Sequence, residues 1–194
     1  MQARADEQYE NMRGARFYRN VDFGLYLLMV IVCALAIRFF LFEPIRVEGD
    51  SMKPTLLNGE HMFVEKVDYW FSEPERGDII ICYYPGYKES CVKRIIGLPG
   101  ETVSVVNGRV LVNGNPLAES RYWNDTIYYD TQPVTVGERE VFVMGDNRNG
   151  SKDSRNASVG CIPYHKIVGH VHAVIWPINS FRSIQSEEYP DGNP

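Results

Sequence analysis

Thr102-Val-Ser-Val-Val-Asn-Gly-Arg-Val-Leu-Val112 is the stretch on which the fold class turns. Val103 and Val105, then Val110 and Val112, place β-branched residues at every second position, the period of a strand with one buried face. Between them, Asn107-Gly108 tolerates the positive φ of a type I′ turn, so the stretch predicts a tight antiparallel hairpin. A second turn signal, Asn113-Gly114, follows at once.

The same pattern extends outward from this hairpin. His61–Val67, Asp78–Cys82 and Cys91–Ile96 read as strands, and Leu98-Pro99-Gly100 breaks the chain sharply before Thr102. Residues 115–140 are polar and aromatic with weak periodicity, a loop-rich segment with a strand near 133–136. Glu140–Met144 is another strand, ending at Gly145-Asp146, and Ile167–Ile175 is the last. No internal repeat appears, and no helical period outside the N-terminal region. The expected class is mostly β: an N-terminal transmembrane helix followed by an antiparallel β-rich domain.

Phe23–Ile37 carries no charge, and Arg38 is followed by four more apolar residues, Phe39–Phe42. The span matches about one bilayer crossing, and Arg38 near its end can snorkel to the headgroups. Arg13, Arg16 and Arg19 precede it, which places the N-terminus in the cytoplasm and exports the rest. A cleavable signal peptide is the competing reading, since Ala34-Leu35-Ala36 resembles a cleavage site. The length of the run and its continuation past Arg38 favour an anchor. The expected division is a cytoplasmic segment over 1–20, an anchor over 21–42, a β-rich extracytoplasmic domain over 43–182, and an acidic, Pro/Gly-bearing tail over 183–194 expected to be disordered. About 150 residues after the anchor suffice for one well-cored domain.

The net charge of −5, with no Lys/Arg cluster interleaved with aromatics, argues against a nucleic-acid partner. Of four cysteines, Cys33 lies in the apolar run. Cys82 and Cys91 could face each other across a hairpin through Tyr83–Ser90, but spacing does not determine pairing, and small buried hydrophobes are an equal reading. His170 and His172 share one strand face with no third ligand spaced for zinc, so no metal site is expected.

Ser51 lies in Gly49-Asp50-Ser51-Met52-Lys53-Pro54-Thr55, nine residues after Phe42. A serine hydroxyl needs a base to become a nucleophile at neutral pH. Lys53 stands where the nucleophile elbow G-x-S-x-G requires its second glycine, so that motif is absent. A histidine base could come only from His61, His165, His170 or His172, an option the sequence leaves open but unsupported, and Lys93 is the better candidate. It sits in Cys91-Val-Lys-Arg-Ile-Ile96, where a desolvated amine would lose its proton more readily. Arg94 points to the opposite face, where it can stay charged and paired. Taken alone, a Lys-Arg pair in a strand reads as two exposed edge residues. The polar loop Gly145–Arg155 reads alone as a turn, yet its acids and arginines could form ion pairs that pin a cleft wall.

Together these residues resemble type I signal peptidase, the membrane-anchored Ser-Lys endopeptidase that removes signal peptides from exported proteins. Ser51-Met52-Lys53-Pro54-Thr55 is similar to its S-M-x-P-T box. Lys93-Arg94-Ile95-Ile96-Gly97-Leu98-Pro99-Gly100 is similar to K-R-x-x-G-x-P-G, and Gly145-Asp146-Asn147-Arg148 with Ser151, Asp153, Ser154 and Arg155 to G-D-N-R-x-x-S-x-D-S-R. The resemblance covers roughly residues 20–178 and implies a signal-peptidase-like β-rich catalytic domain. It implies Ser51 as nucleophile, Lys93 as general base and Ser151 as the group that orients the Lys93 amine. Asp146 with Arg94, and Asp153 with Arg155, would support the cleft structurally. The Ser51 N–H would donate to the oxyanion, and Met52 would line the substrate cleft. Where some members carry a serine as second oxyanion donor this chain has Gly49, so a substitute donor is expected. Preproteins bearing signal peptides and the lipid bilayer are the implied partners, with no cofactor and no obligate protein partner. Two rivals are a self-cleaving Ser-Lys repressor, which would need a DNA-binding N-domain, and a tethered β-domain that only binds.

Overall fold

The computed structural model describes residues 20–36, 42–66, 69, 72–119, 122–123, 125–184 and 189. The chain divides into two units, Met1–Leu41 and Phe42–Pro194. In the first, a helix runs over 20–36 with its residues exposed. No helix among the described residues is long and apolar enough to cross a membrane. Residues 1–19 of the expected cytoplasmic segment and 37–41 of the expected anchor lie outside the described residues. The anchor's expected limit at Phe42 is corrected, because Phe42 opens a strand, β1 (Phe42–Arg46), opposite Glu65. Hydropathy does not separate these readings, since an apolar residue suits a helix end and a strand start alike.

Among the described residues, the second unit has β1 and eleven further strands. They are β2 (His61–Glu65), β3 (Ile79–Tyr83), β4 (Ser90–Gly97), β5 (Thr102–Val106), β6 (Arg109–Val112), β7 (Asn115–Pro116), β8 (Thr131–Thr135), β9 (Glu140–Met144), β10 (Ile162–Pro163), β11 (Ile167–Trp176) and β12 (Arg182–Ser183). One sheet has the order β1-β2-β11-β3-β4-β9-β10, with β12 added to β11; a smaller one has the order β7-β6-β5-β8. Strand β1 is an edge, which accommodates Pro44 and its missing N–H.

The hairpin expected at 102–112 is present as β5 and β6, with Val106 opposite Arg109. Asn107 and Gly108 take φ of 51° and 74°, the doubly positive pair that a type I′ turn requires. Val103, Val105, Val110 and Val112 are buried with Ile96, Phe142 and Met144 in the core of the smaller sheet. In the larger sheet β3 buries both faces. Ile79 and Ile81 join a core with Met52, Leu56 and Val171, whereas Ile80 and Cys82 join another with Ile95 and Val143. A strand covered on both sides has no polar face to show, which explains its unbroken apolar run.

The expected disorder of the tail is corrected in part. Ser183 pairs with Ala173 in β12, Ile184 packs against the core, and the Tyr189 hydroxyl lies 2.7 Å from that of Tyr122. Acidic composition averaged over 183–194 hid these two apolar and aromatic anchors. Residues 185–188 and 190–194 lie outside the described residues.

Gly97 ends β4 where the chain passes toward the smaller sheet. A Cβ there would stand 2.4 Å from Val103 Cγ2 and 3.1 Å from Phe142 Cβ. Gly97→Ala is therefore expected to overpack this junction and to lower stability by about 1–3 kcal/mol, read as a lower midpoint in denaturant unfolding.

Candidate active site

Ser51 lies in the connection between β1 and β2. Its neck is closed by Val47 N–H donating to Glu60 O (2.7 Å) and Gly59 N–H to Val47 O (2.9 Å). Gly49 takes φ +88°, a conformation that suits glycine, and its N–H donates to Asn58 Oδ1 at 3.1 Å. Met52 and Leu56 are buried in the larger sheet's core and hold the turn beneath the serine. Arg182 clamps the far end, donating to Thr55 O and to both carboxylate oxygens of Glu60, each at 2.7 Å.

Lys93 is carried on β4 and is only 3% exposed, against the edge reading of a Lys-Arg pair. Its Nζ lies 2.8 Å from Ser51 Oγ and donates to Val92 O at 2.8 Å. Both partners are neutral. Burial lowers the pKa of the amine, while Cys91, Asp153, Cys82 and Asp146 pull more weakly the other way. Arg94, the next residue, faces away and meets Asp146 through two hydrogen bonds, Nε to Oδ1 at 2.8 Å and Nη2 to Oδ2 at 2.7 Å. Burial opposes the Arg94 charge, but Asp146 outweighs it and raises the arginine pKa.

The loop after β9 locks onto the serine turn. Asn147 N–H donates to Ser51 O at 3.0 Å and its Nδ2 to Asp50 O at 3.1 Å. Thr55 Oγ1 donates to Asp146 Oδ2. Gly145 has no room for a side chain, since a Cβ would fall 2.3 Å from Ser151 Oγ and 2.4 Å from Ser51 O. Asp153 accepts from Gly145 N–H at 3.0 Å and from Arg155 Nε and Nη2 at 2.7 and 2.8 Å. Arg148, 1% exposed, donates to Gly145 O at 3.1 Å and pairs with Glu119. Tyr122 lies between Arg94 and Arg148, whose guanidinium carbons stand 4.3 and 5.3 Å from its ring centre.

Ser51 and Lys93 are thus in contact, as are Arg94 with Asp146 and Asp153 with Arg155. The expected hydrogen bond from Ser151 to the Lys93 amine is not formed. Ser151 Oγ is buried without a partner, and the second Lys93 bond goes to Val92 O. Thr55, Asn147, Glu119 and Tyr122 were given no role from sequence, and Arg148 only that of an ion-pairing arginine of the loop, a role it fills with Glu119. Thr55, Asn147 and Arg148 sit inside the matched boxes, but Glu119 and Tyr122 lie in the segment without periodicity, where nothing marked them.

A cleft of about 200 Å³ opens beside the serine. Ile45–Gly49 lines it from one side of the chain and Ser90–Lys93 from another, with Ser51, Met52 and Ile81. A hydroxyl paired with a buried amine in the lining of a cleft has the groups needed for attack on an amide carbonyl.

The chain's relationships agree with that chemistry. Residues 20–176 match the family model described as signal peptidase, peptidase S26. Signal peptidase I of Bacillus amyloliquefaciens is 41% identical over 170 residues, covering 83% of this chain and 88% of that one. Signal peptidase I T of Bacillus subtilis is 40% identical over 171 residues, covering 84% and 88%. A probable signal peptidase I-1 of Synechocystis is 41% identical over 168 residues, covering 82% and 84%. The chain belongs to the signal peptidase S26 family, and it is a peptidase.

Removing the Asp146 carboxylate would leave Arg94 charged and uncompensated in the interior. Asp146→Ala is expected to cost about 3–5 kcal/mol, with urea unfolding as the measurement; a loss well under 1 kcal/mol would show that Arg94 finds water or another anion.

Proposed function

We propose that this protein removes N-terminal signal peptides from exported preproteins at a membrane surface, with Ser51 as nucleophile and Lys93 as general base. The observation that carries the reading is the 2.8 Å contact between Lys93 Nζ and Ser51 Oγ in a place where burial lowers the pKa of the amine. A neutral amine has a lone pair for the Ser51 proton, whereas an ammonium has none.

In this mechanism an extended peptide lies between residues 45–49 and 90–93 as an added strand. The small cleft volume supports small side chains next to the scissile bond. Ser51 Oγ attacks the carbonyl carbon as Lys93 accepts its proton, and the oxyanion takes a hydrogen bond from the Ser51 N–H. Lys93 then gives the proton to the leaving amine, which departs as the mature protein. Water, deprotonated by Lys93, attacks the acyl-enzyme and frees the signal peptide. The Gly49 N–H is already engaged by Asn58, so the second oxyanion donor is sought elsewhere. Arg94 with Asp146, and Arg155 with Asp153, hold the cleft without touching substrate.

Membrane attachment is the second part of the proposal. The uncharged run 23–37 anchors the chain, with Arg13, Arg16 and Arg19 on the cytoplasmic side and the peptidase unit outside.

Incubation of the full chain with a purified preprotein, followed by product mass measurement, tests the chemistry. Ser51→Ala and Lys93→Ala are each expected to reduce cleavage by a factor on the order of 10⁴ or more while circular dichroism stays unchanged. Near-normal cleavage by Lys93→Ala would falsify the dyad. The pH profile supplies an independent check. Activity rises with pH as Lys93 loses its proton, and the midpoint falls below the ordinary lysine value because burial lowers it. A limb at the value of a solvated lysine would contradict the assignment.

A further inference from the structure

A pair of thiols, one of them in the cleft lining, stands in a geometry that the peptidase chemistry does not use. Cys82 on β3 and Cys91 on β4 are directly opposite each other in the strand register, with their sulfurs 3.6 Å apart and both thiols free. Cys91 is half-buried and lines the cleft together with Ser51 and Lys93. Cys82 is fully buried behind it. Cys91 and Lys93 are two residues apart on one strand, so they stand on the same face. We propose that Cys82 and Cys91 are a thiol-oxidation site built into the wall of the substrate cleft, where a small disulfide converts them to a cross-strand disulfide and slows peptide cleavage. This inference rests on the peptidase reading of Ser51 and Lys93.

The unequal burial assigns the order of events. Cys91, the thiol at the cleft, attacks one sulfur of a small disulfide as its thiolate and expels one small thiol, leaving a mixed disulfide on Cys91. Cys82 then loses its proton and attacks the Cys91 sulfur, expelling the second small thiol. Each cysteine gives up one electron and one proton, and the small disulfide takes up two of each as two thiols. The thiol pKa values favour this order. A hydrogen bond from Cys82 lowers that of Cys91, whereas that same bond, and then burial, raise that of Cys82.

Closure has a mechanical consequence. A disulfide bond is about 2.0 Å long, so the sulfurs must approach by about 1.5 Å. Buried Cys82 has core packing around it, including Ile80, Ile95 and Val143. Strand β4 therefore takes up much of the shift, two residues from the amine that sits 2.8 Å from Ser51 Oγ. Displacing a reacting group by about 1 Å costs on the order of 10²-fold in rate.

The test uses the full chain, reduced or treated with oxidised glutathione, with disulfides mapped by mass spectrometry and kcat/KM measured on a preprotein. The oxidised protein should contain the Cys82–Cys91 link and cleave on the order of tenfold to a hundredfold more slowly, with full recovery in dithiothreitol. Cys82→Ala, lacking the second thiol, should accumulate glutathione on Cys91. Cys91→Ser should show the same rate before and after oxidant. A map without the Cys82–Cys91 link overturns the proposal, and so does a link that leaves kcat/KM unchanged. Failure of the peptidase reading shows separately, as a reduced protein inert on preprotein.

Discussion

Asp146 is the point on which the site depends. Its carboxylate is fully buried, and its two oxygens accept from Arg94 Nε, Arg94 Nη2 and Thr55 Oγ1. Those donors come from β4 and from the serine turn, while Asp146 itself follows β9. A carboxylate removed from water needs such bonds to remain charged. The three segments are therefore held in one arrangement. Lys93 precedes Arg94, and Ser51 precedes Thr55 by four residues, so fixing the support fixes the Ser51–Lys93 contact. A buried ion pair adds little net stability over a well-packed apolar alternative. Its use here is geometric.

The backbone makes a second, independent fastening. Asn147 donates through its N–H to Ser51 O and through its side chain to Asp50 O. This close approach is possible only because Gly145 carries no Cβ. The same bare position also leaves room for the Ser151 side chain, whose Oγ is buried without a hydrogen-bond partner.

The parts of the molecule that were legible in the sequence are those governed by local rules. Asn107-Gly108 between alternating valines dictates its hairpin with no help from the rest of the chain. The burial of Lys93 and Arg94 was not legible locally, because the partner of Arg94 lies 52 residues away. A strand Lys-Arg pair without that partner belongs at an edge in water. Motif resemblance supplied the missing distance for Asp146 and Asp153, which lie inside matched boxes. Glu119 and Tyr122 had no such guide, and their contacts with Arg148 emerge only when an irregular segment is folded. Tail residues Ile184 and Tyr189 were lost for a related reason: an acidic average conceals single anchoring side chains.

Charge is distributed around the site in a way that separates support from chemistry. Arg94, Arg148 and Arg155 are each largely buried, and each has a carboxylate, from Asp146, Glu119 and Asp153 respectively. Lys93 is equally buried, yet among the described residues it forms no ion pair; its near polar neighbours are a hydroxyl and a carbonyl. Guanidinium groups keep their proton in such surroundings, helped by their carboxylates. An amine denied a paired carboxylate gives its proton up more readily, because desolvation then outweighs the weaker pull of Cys91, Asp153, Cys82 and Asp146. One physical effect, removal of a cation from water, thus leaves fixed charges where a partner is supplied and an amine of lowered pKa where it is withheld. The fold achieves this by alternation along β4, which turns Arg94 toward Asp146 and Lys93 toward Ser51.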